Sequence, residues 1–196
     1  MKKVLIVCCW LMFIGILPAF GQERNCQPID SLKERLTQDK ACAELSNMFE
    51  RYRDCFCREN KYDDFVAYLK SLIPQKKSLQ PLLDYAIALT RYNQLNCLES
   101  TQAWDEYFNK GPAYREELSA YLQESIKLTS VKDATHVYSQ LLLWEFYRSQ
   151  EDVSSMDVLV SLMQSLADYA KEAGDPAPLK AVADKILAAG EKARAK

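Results

Sequence analysis

The stretch "RDCFCREN", residues 53–60, sets Cys55 and Cys57 one residue apart in polar surroundings. Thiols this close together suggest metal ligation, a redox pair, or halves of two separate disulfides. Structural zinc sites pair their ligands as C-x2–4-C or H-x3–5-H, roughly the spacing of one turn. Cys26, Cys42, Cys55 and Cys57 are irregularly spaced, and the only histidine, His136, is remote from them. No metal and no other cofactor is expected. A thioredoxin-like pair needs C-x-x-C, and haem attachment needs C-x-x-C-H; neither occurs. Disulfides are the remaining reading, provided the chain reaches an oxidising compartment.

Other candidates for chemistry are weaker. "AWDEYF" sets Asp105 and Glu106 side by side, but adjacent positions on a helix point in different directions and cannot flank one bond. His136, in "ATHVYSQ", has no nearby Ser or Cys arranged as a nucleophile. No phosphate-binding glycine loop, nucleophile elbow or H-E-x-x-H motif is present. No catalytic residue is assigned, and the chain reads as a non-enzyme.

The compartment follows from the opening "MKKVLIVCCWLMFIGILPAFGQ". Lys2 and Lys3 precede an uncharged run from Val4 to Leu17, then Pro18 and the small residues Ala19 and Gly21. This order predicts a signal peptide over residues 1–21, cleaved after Gly21. The apolar run is shorter than the ~20 residues of a spanning helix, so no stable membrane insertion is expected after cleavage. The expected location is extracytoplasmic, periplasmic or secreted. Removing Lys2 and Lys3 leaves 23 basic residues against 27 acidic, a net charge of −4. Such a chain has no basic excess with which to hold nucleic acid.

The elements that must position these residues are helical. Apolar residues recur at helical spacing, only Gly111, Gly174 and Gly190 occur after the signal segment, and no stretch alternates like a strand. Helices are predicted from Pro28 through "IDSLKERL", then at about 40–57 and 62–73. After the linker "PQKKSLQP" they continue at about 81–97, 100–109, 112–129, 133–149, 154–173 and 178–194. The organisation is a Cys-rich helical segment at 22–73 and a repeat-like helical segment at 82–196, forming one continuous domain. The fold class is all-α.

On a helix, Cys55 and Cys57 point about 200° apart and should serve different partners. Cys42 shares their helix about 20 Å away, beyond the ~7 Å Cα separation a disulfide tolerates. Alternating helices bring Cys97 to the same end as Cys55 and Cys57, and a fold-back near Asp39 brings Cys26 there too. The expected disulfide cysteines are therefore Cys26, Cys55, Cys57 and Cys97, with Cys42 left over.

Two stretches resemble tetratricopeptide repeats. In "LADYAKEAGDPAPLKAVADKILAAG", Leu166-Ala167 supplies a large-then-small pair, "EAGD" the turn, and Leu179, Ala183 and Ile186 the returning helix. In "YAIALTRYNQLNCLESTQAWDEYFNKGP", Tyr85, Ala88, Leu89 and Tyr92 share one helix, Ala103 and Tyr107 the next, and Pro112 follows. The resemblance covers about a third of the chain. It implies stacked antiparallel helical hairpins; an irregular helical bundle is the alternative.

Tyr85 and Tyr92 are seven residues apart, as are Tyr114 and Tyr121, so each pair shares a helix face. These four tyrosines are the candidates for contact with a protein or peptide partner; packing between helices explains the same spacing. The function expected is an exported adaptor of a bacterial-type cell envelope. The alternative is an exported helical-bundle hydrolase using carboxylates in a cleft.

Overall fold

The computed structural model describes residues 42–194, and every regular element among them is a helix. In chain order these are α1 (Cys42–Glu59), α2 (Tyr62–Leu72), a short 3-10 turn (Lys77–Leu79), α3 (Gln80–Ser100), α4 (Trp104–Leu128), α5 (Ala134–Ser149), α6 (Ser154–Glu172) and α7 (Ala177–Arg194). The all-α reading holds. The signal segment, the helix predicted after Pro28 and Cys26 lie outside the described residues.

The helices divide by how much of their circumference is apolar. α2 is amphipathic: Tyr62, Phe65, Val66, Leu69 and Leu72 are buried at the spacing of one helix face. α3 and α5 are instead buried nearly all round. α3 packs on α1, α2, α4 and α5, and its most extensive contact is with α4. Phe49, Phe56, Tyr62 and Phe65 stack at the N-terminal end of the core, with ring centroids 5.3–5.8 Å apart. Aromatic pairs at these separations add to plain area burial.

From α2 onward each helix packs on the next, and α1, α3, α5 and α7 touch in sequence as in stacked hairpins. α1 also touches α5 and α7. These contacts fold the N-terminal helix back over the later ones, a feature of a closed bundle. The α3–α4 turn places Gln102 at φ +57, and the α6–α7 turn places Gly174 at φ +68. Glycine carries the second at no steric cost. Asp175 Oδ1 then accepts the Ala177 N–H at 2.9 Å, starting α7.

One predicted boundary is wrong. The sequence "KGP" was expected to separate two helices, but α4 runs unbroken from Trp104 to Leu128 with Pro112 inside it. A helix-interior proline forfeits the bond to the carbonyl four residues back. That residue is Phe108, on an exposed face, where water can serve the carbonyl. Burial of Tyr114, Leu118 and Leu122 beyond the proline keeps the helix going.

A disulfide joins Cys57, near the end of α1, to Cys97, near the end of α3, with Cα atoms 5.6 Å apart. Cys55 is disulfide-bonded as well; its expected partner, Cys26, lies outside the described residues. The two adjacent thiols thus enter disulfides rather than a metal or redox site. Among the described residues no group of three or more His, Cys, Asp or Glu could hold a metal ion.

Candidate functional site: an aromatic cleft

Four helices leave a cleft of about 440 Å³ between them. α3 contributes Tyr85, Leu89, Tyr92 and Asn93; α5 contributes Tyr138, Leu141, Leu142 and Glu145. α7 closes it with Ala177, Lys180, Ala181, Asp184 and Lys185, and α1 adds Asn47 and Phe49. Within each of the three later helices these positions follow a spacing of three or four, one face of a helix. The floor is aromatic and aliphatic. The rim is charged in both signs.

Lys185 Nζ lies 3.3 Å from Glu145 Oε1, an ion pair that ties α7 to α5 at the rim. Burial, then the neighbouring Glu145 charge, holds the Tyr92 hydroxyl above its ordinary pKa. It therefore stays a neutral phenol, an apolar ring with a polar tip. Asn93 Nδ2 donates to the Leu89 carbonyl at 2.8 Å, which fixes that amide at the edge of the floor.

The four tyrosines separate. Tyr85 and Tyr92 line this cleft; Tyr114 and Tyr121, both on α4, do not. Tyr85 and Tyr114 are buried, at 2% and 7% exposure, so neither presents an open ring. Tyr92 and Tyr121 are half-buried. Tyr85 forms part of the cleft floor, and Tyr92 is the tyrosine placed to meet a partner there.

Tyr114 and Tyr121 belong to a charge cluster joining α2, α3 and α4. Arg91, nearly buried on α3, pairs through Nη1 with Asp63 of α2 and through Nε with Glu117 of α4. Nη1 also donates to Gln94 Oε1 at 2.6 Å. Lys70 pairs with the second oxygen of Glu117. The Arg91 guanidinium lies 4.5 Å over the Tyr114 ring, and Tyr114 donates to Asp63 Oδ2 at 3.3 Å. Burial pushes the Asp63 and Glu117 carboxyls up, but their cationic hydrogen-bond partners outweigh it and hold both below the ordinary range. Every charge in the cluster has a counter-charge, the signature of a structural joint.

Asp84 differs. It is 1% exposed on α3, and its Oδ2 has no hydrogen-bond partner. Burial, with the Glu124 charge adding to it, pushes this carboxyl up to about 6. It does not line the cleft.

His136 has more around it than its sequence neighbours suggest. Its Nε2 is 3.4 Å from Ser165 Oγ, and its Nδ1 is 3.2 Å from Thr129 Oγ1. Thr129 donates to the Ser125 carbonyl at 2.6 Å, so it accepts from Nδ1–H and leaves Nε2 to accept from Ser165. This ordering matches a base–hydroxyl pair. His136 and Ser165 are both buried, at 8% and 5% exposure, and neither lines the cleft. The pair locks α5 to α6. Asp105 and Glu106 do not act together either: Glu106 pairs with Lys110 at 2.9 Å while Asp105 is exposed.

The α5 and α7 walls were not legible in the sequence. Tyr138, Leu141, Leu142 and Glu145 carry the same-face spacing that singled out Tyr85 and Tyr92. Spacing identifies a face within one helix; it does not say which faces converge. No family model, no curated protein and no solved structure matches this chain. The cleft therefore rests on its own geometry. No described helix is long and apolar enough to cross a membrane.

Proposed function

We propose that the protein is an exported, non-enzymatic adaptor of a bacterial-type cell envelope. On this reading it holds an apolar segment of a partner protein or peptide in the cleft between α1, α3, α5 and α7. The carrying observation is the cleft's make-up: a floor built from Phe49, Tyr85, Leu89, Tyr138 and Leu142 beneath a rim of Glu145, Lys180, Asp184 and Lys185. Concave sites of this kind combine apolar area with a few orienting polar groups. The rim carries two cations and two anions, which suits a neutral or mixed-charge peptide better than nucleic acid. The signal-like N-terminus and the Cys57–Cys97 disulfide both favour an oxidising, extracytoplasmic setting. The tetratricopeptide resemblance supports a peptide-holding helical array.

The alternative hydrolase asks for two working carboxylates in the cleft. Of the two carboxylates that line the cleft, Glu145 is engaged by Lys185 and Asp184 is exposed at the rim, and the carboxyl with a raised pKa, Asp84, is outside the cleft. The adaptor reading fits these facts better.

Random-peptide display on the mature protein tests it. Selected peptides should be rich in aromatic and aliphatic residues. Ala177→Trp, at an exposed position lining the cleft, should weaken them at least about tenfold without changing the melting temperature. Selection of no peptide, or binding indifferent to Ala177→Trp, contradicts the proposal.

A further inference from the structure

The cleft face of α3 continues past the cleft. Tyr85, Leu89 and Tyr92 are followed at steps of three and four residues by Asn96 and Glu99, which keeps all five on one side of the helix. On α5, Glu145 of the cleft is followed in the same way by Ser149. These later positions line a second, smaller cavity of about 80 Å³, and Tyr92 lines both. α4 supplies Tyr107 and Arg115 to it.

Arg115 is half-buried. Its guanidinium lies 4.6 Å over the Tyr107 ring. On its other side is Gly111, where a Cβ would sit 3.1 Å from Nη1. A glycine inside a helix is unfavourable; here it makes room for the charged head group. Arg115 Nε is buried without a hydrogen-bond partner, which is costly for a cationic donor. Arg91 meets Asp63 and Glu117, but Arg115 pairs with no carboxylate among the described residues. Glu99, the acid among the lining residues, is exposed and forms no ion pair with it.

We propose that Arg115 determines specificity at the proposed binding site by receiving the side-chain carboxylate of an Asp or Glu in the bound peptide, a role that rests on the peptide-binding reading of the cleft. A guanidinium held flat on an aromatic ring presents its edge, and that edge matches one carboxylate with two N–H donors. A single positive charge with Glu99 nearby disfavours a doubly charged phosphate. Glu99, Ser149 and Gln150 are all exposed, so the peptide chain can run on past the cavity and only a side chain enters. Leu89 in the cleft and Asn96 in the cavity are seven residues apart, about 10 Å at the helical rise. That is the span of about three residues of extended peptide, so the acid belongs three positions from the apolar residue seated in the cleft.

Acetylated, amidated octapeptides with one fixed Phe, and Glu or Gln placed in turn at every other position, test this by fluorescence anisotropy on the mature protein. Glu should bind about tenfold tighter than Gln three positions from Phe, and the preference should fall away at neighbouring positions. Arg115→Met should bring the Glu-to-Gln ratio close to one. Glu99→Gln, at an exposed position, should raise it, and added salt should lower it. Octapeptides that bind with no preference for Glu, or with a preference that Arg115→Met and Glu99→Gln leave unchanged, overturn the proposal while the cleft reading stands. No binding by any octapeptide contradicts both. A preference that appears only when the C-terminus is left free gives the cavity to a chain end and overturns the side-chain assignment.

Discussion

Cys57 and Cys97 tie the C-terminal ends of α1 and α3 together, with Cα atoms 5.6 Å apart across a sequence separation of 40 residues. The bond holds α1, which adds Phe49 to the cleft floor, against the helix that carries Tyr85 and Tyr92. Closing a loop of that length stabilises the fold by about 4 kcal/mol in the chain-entropy model. Replacing both cysteines with serine should cost about that much in denaturant unfolding. Loosening should appear first in amide exchange of α1.

Cys55 is bonded as well. Cys42 heads the same helix, about 20 Å away at the helical rise, and Cys97 is taken. Non-reducing peptide mapping should therefore return Cys57–Cys97 together with Cys26–Cys55. A Cys42–Cys55 peptide would refute the course of α1.

Asp84 predicts an unusual pH dependence. Its folded pKa of about 6 lies above the ordinary carboxylate value, so the native state binds the extra proton between about pH 4 and 6. Its contribution is full below that window and is lost as pH rises through it. The loss amounts to about 3 kcal/mol, roughly two pKa units. Asp84→Asn should flatten the stability profile between about pH 4 and 7 and raise stability at neutral pH. Asp63 and Glu117, held low, act in the opposite sense and lose their contribution only as pH falls toward their lowered values. An unchanged profile in Asp84→Asn would refute the assignment.

Arg91 bridges two carboxylates from two helices. Arg91→Met should cost roughly 3 kcal/mol, because Asp63 loses its guanidinium partner and the mostly buried Glu117 keeps only Lys70. Arg91→Lys should recover little, since a single ammonium lacks the planar fork that reaches both acids. Urea unfolding of the two variants checks this.

Tyr85 and Tyr92 should divide stability from binding. Tyr85→Ala removes a core ring and should cost about 3–5 kcal/mol. Tyr92→Ala should cost less and still weaken cleft ligands. Equal stability losses would assign both to the core.

On the proposed export route, the intact mass of the protein extracted from the envelope should correspond to a chain starting at Gln22. A species retaining Met1 would favour an uncleaved anchor instead.

Local patterns carried much of the fold. α2, α5, α6 and α7 fall within one or two residues of the boundaries expected from apolar spacing, and helical geometry put Cys97 at the same end as Cys55 and Cys57 without choosing between them; the structure bonds it to Cys57. The proline in α4 was misjudged because its penalty is local while the packing that outweighs it, α4 on α3, is not. The Arg91 cluster was illegible for the same reason. Its members are 28 and 26 residues apart, and each looks like an ordinary surface charge alone. His136 and Ser165, 29 residues apart, meet only once α5 and α6 pack. Of the cleft, one wall could be read from the tyrosine spacing. The convergence of four helices could not, because it depends on contacts that no single helix encodes.

The most direct test of the cleft as the working surface is site-specific photo-crosslinking in the native envelope. A photoreactive residue would replace Ala177, at the cleft mouth, or Glu116, an exposed position on α4 outside the cleft. The account predicts a discrete adduct from position 177, absent from position 116 and suppressed by Tyr92→Ala. Adducts of equal yield from both positions, or none from position 177, would contradict it.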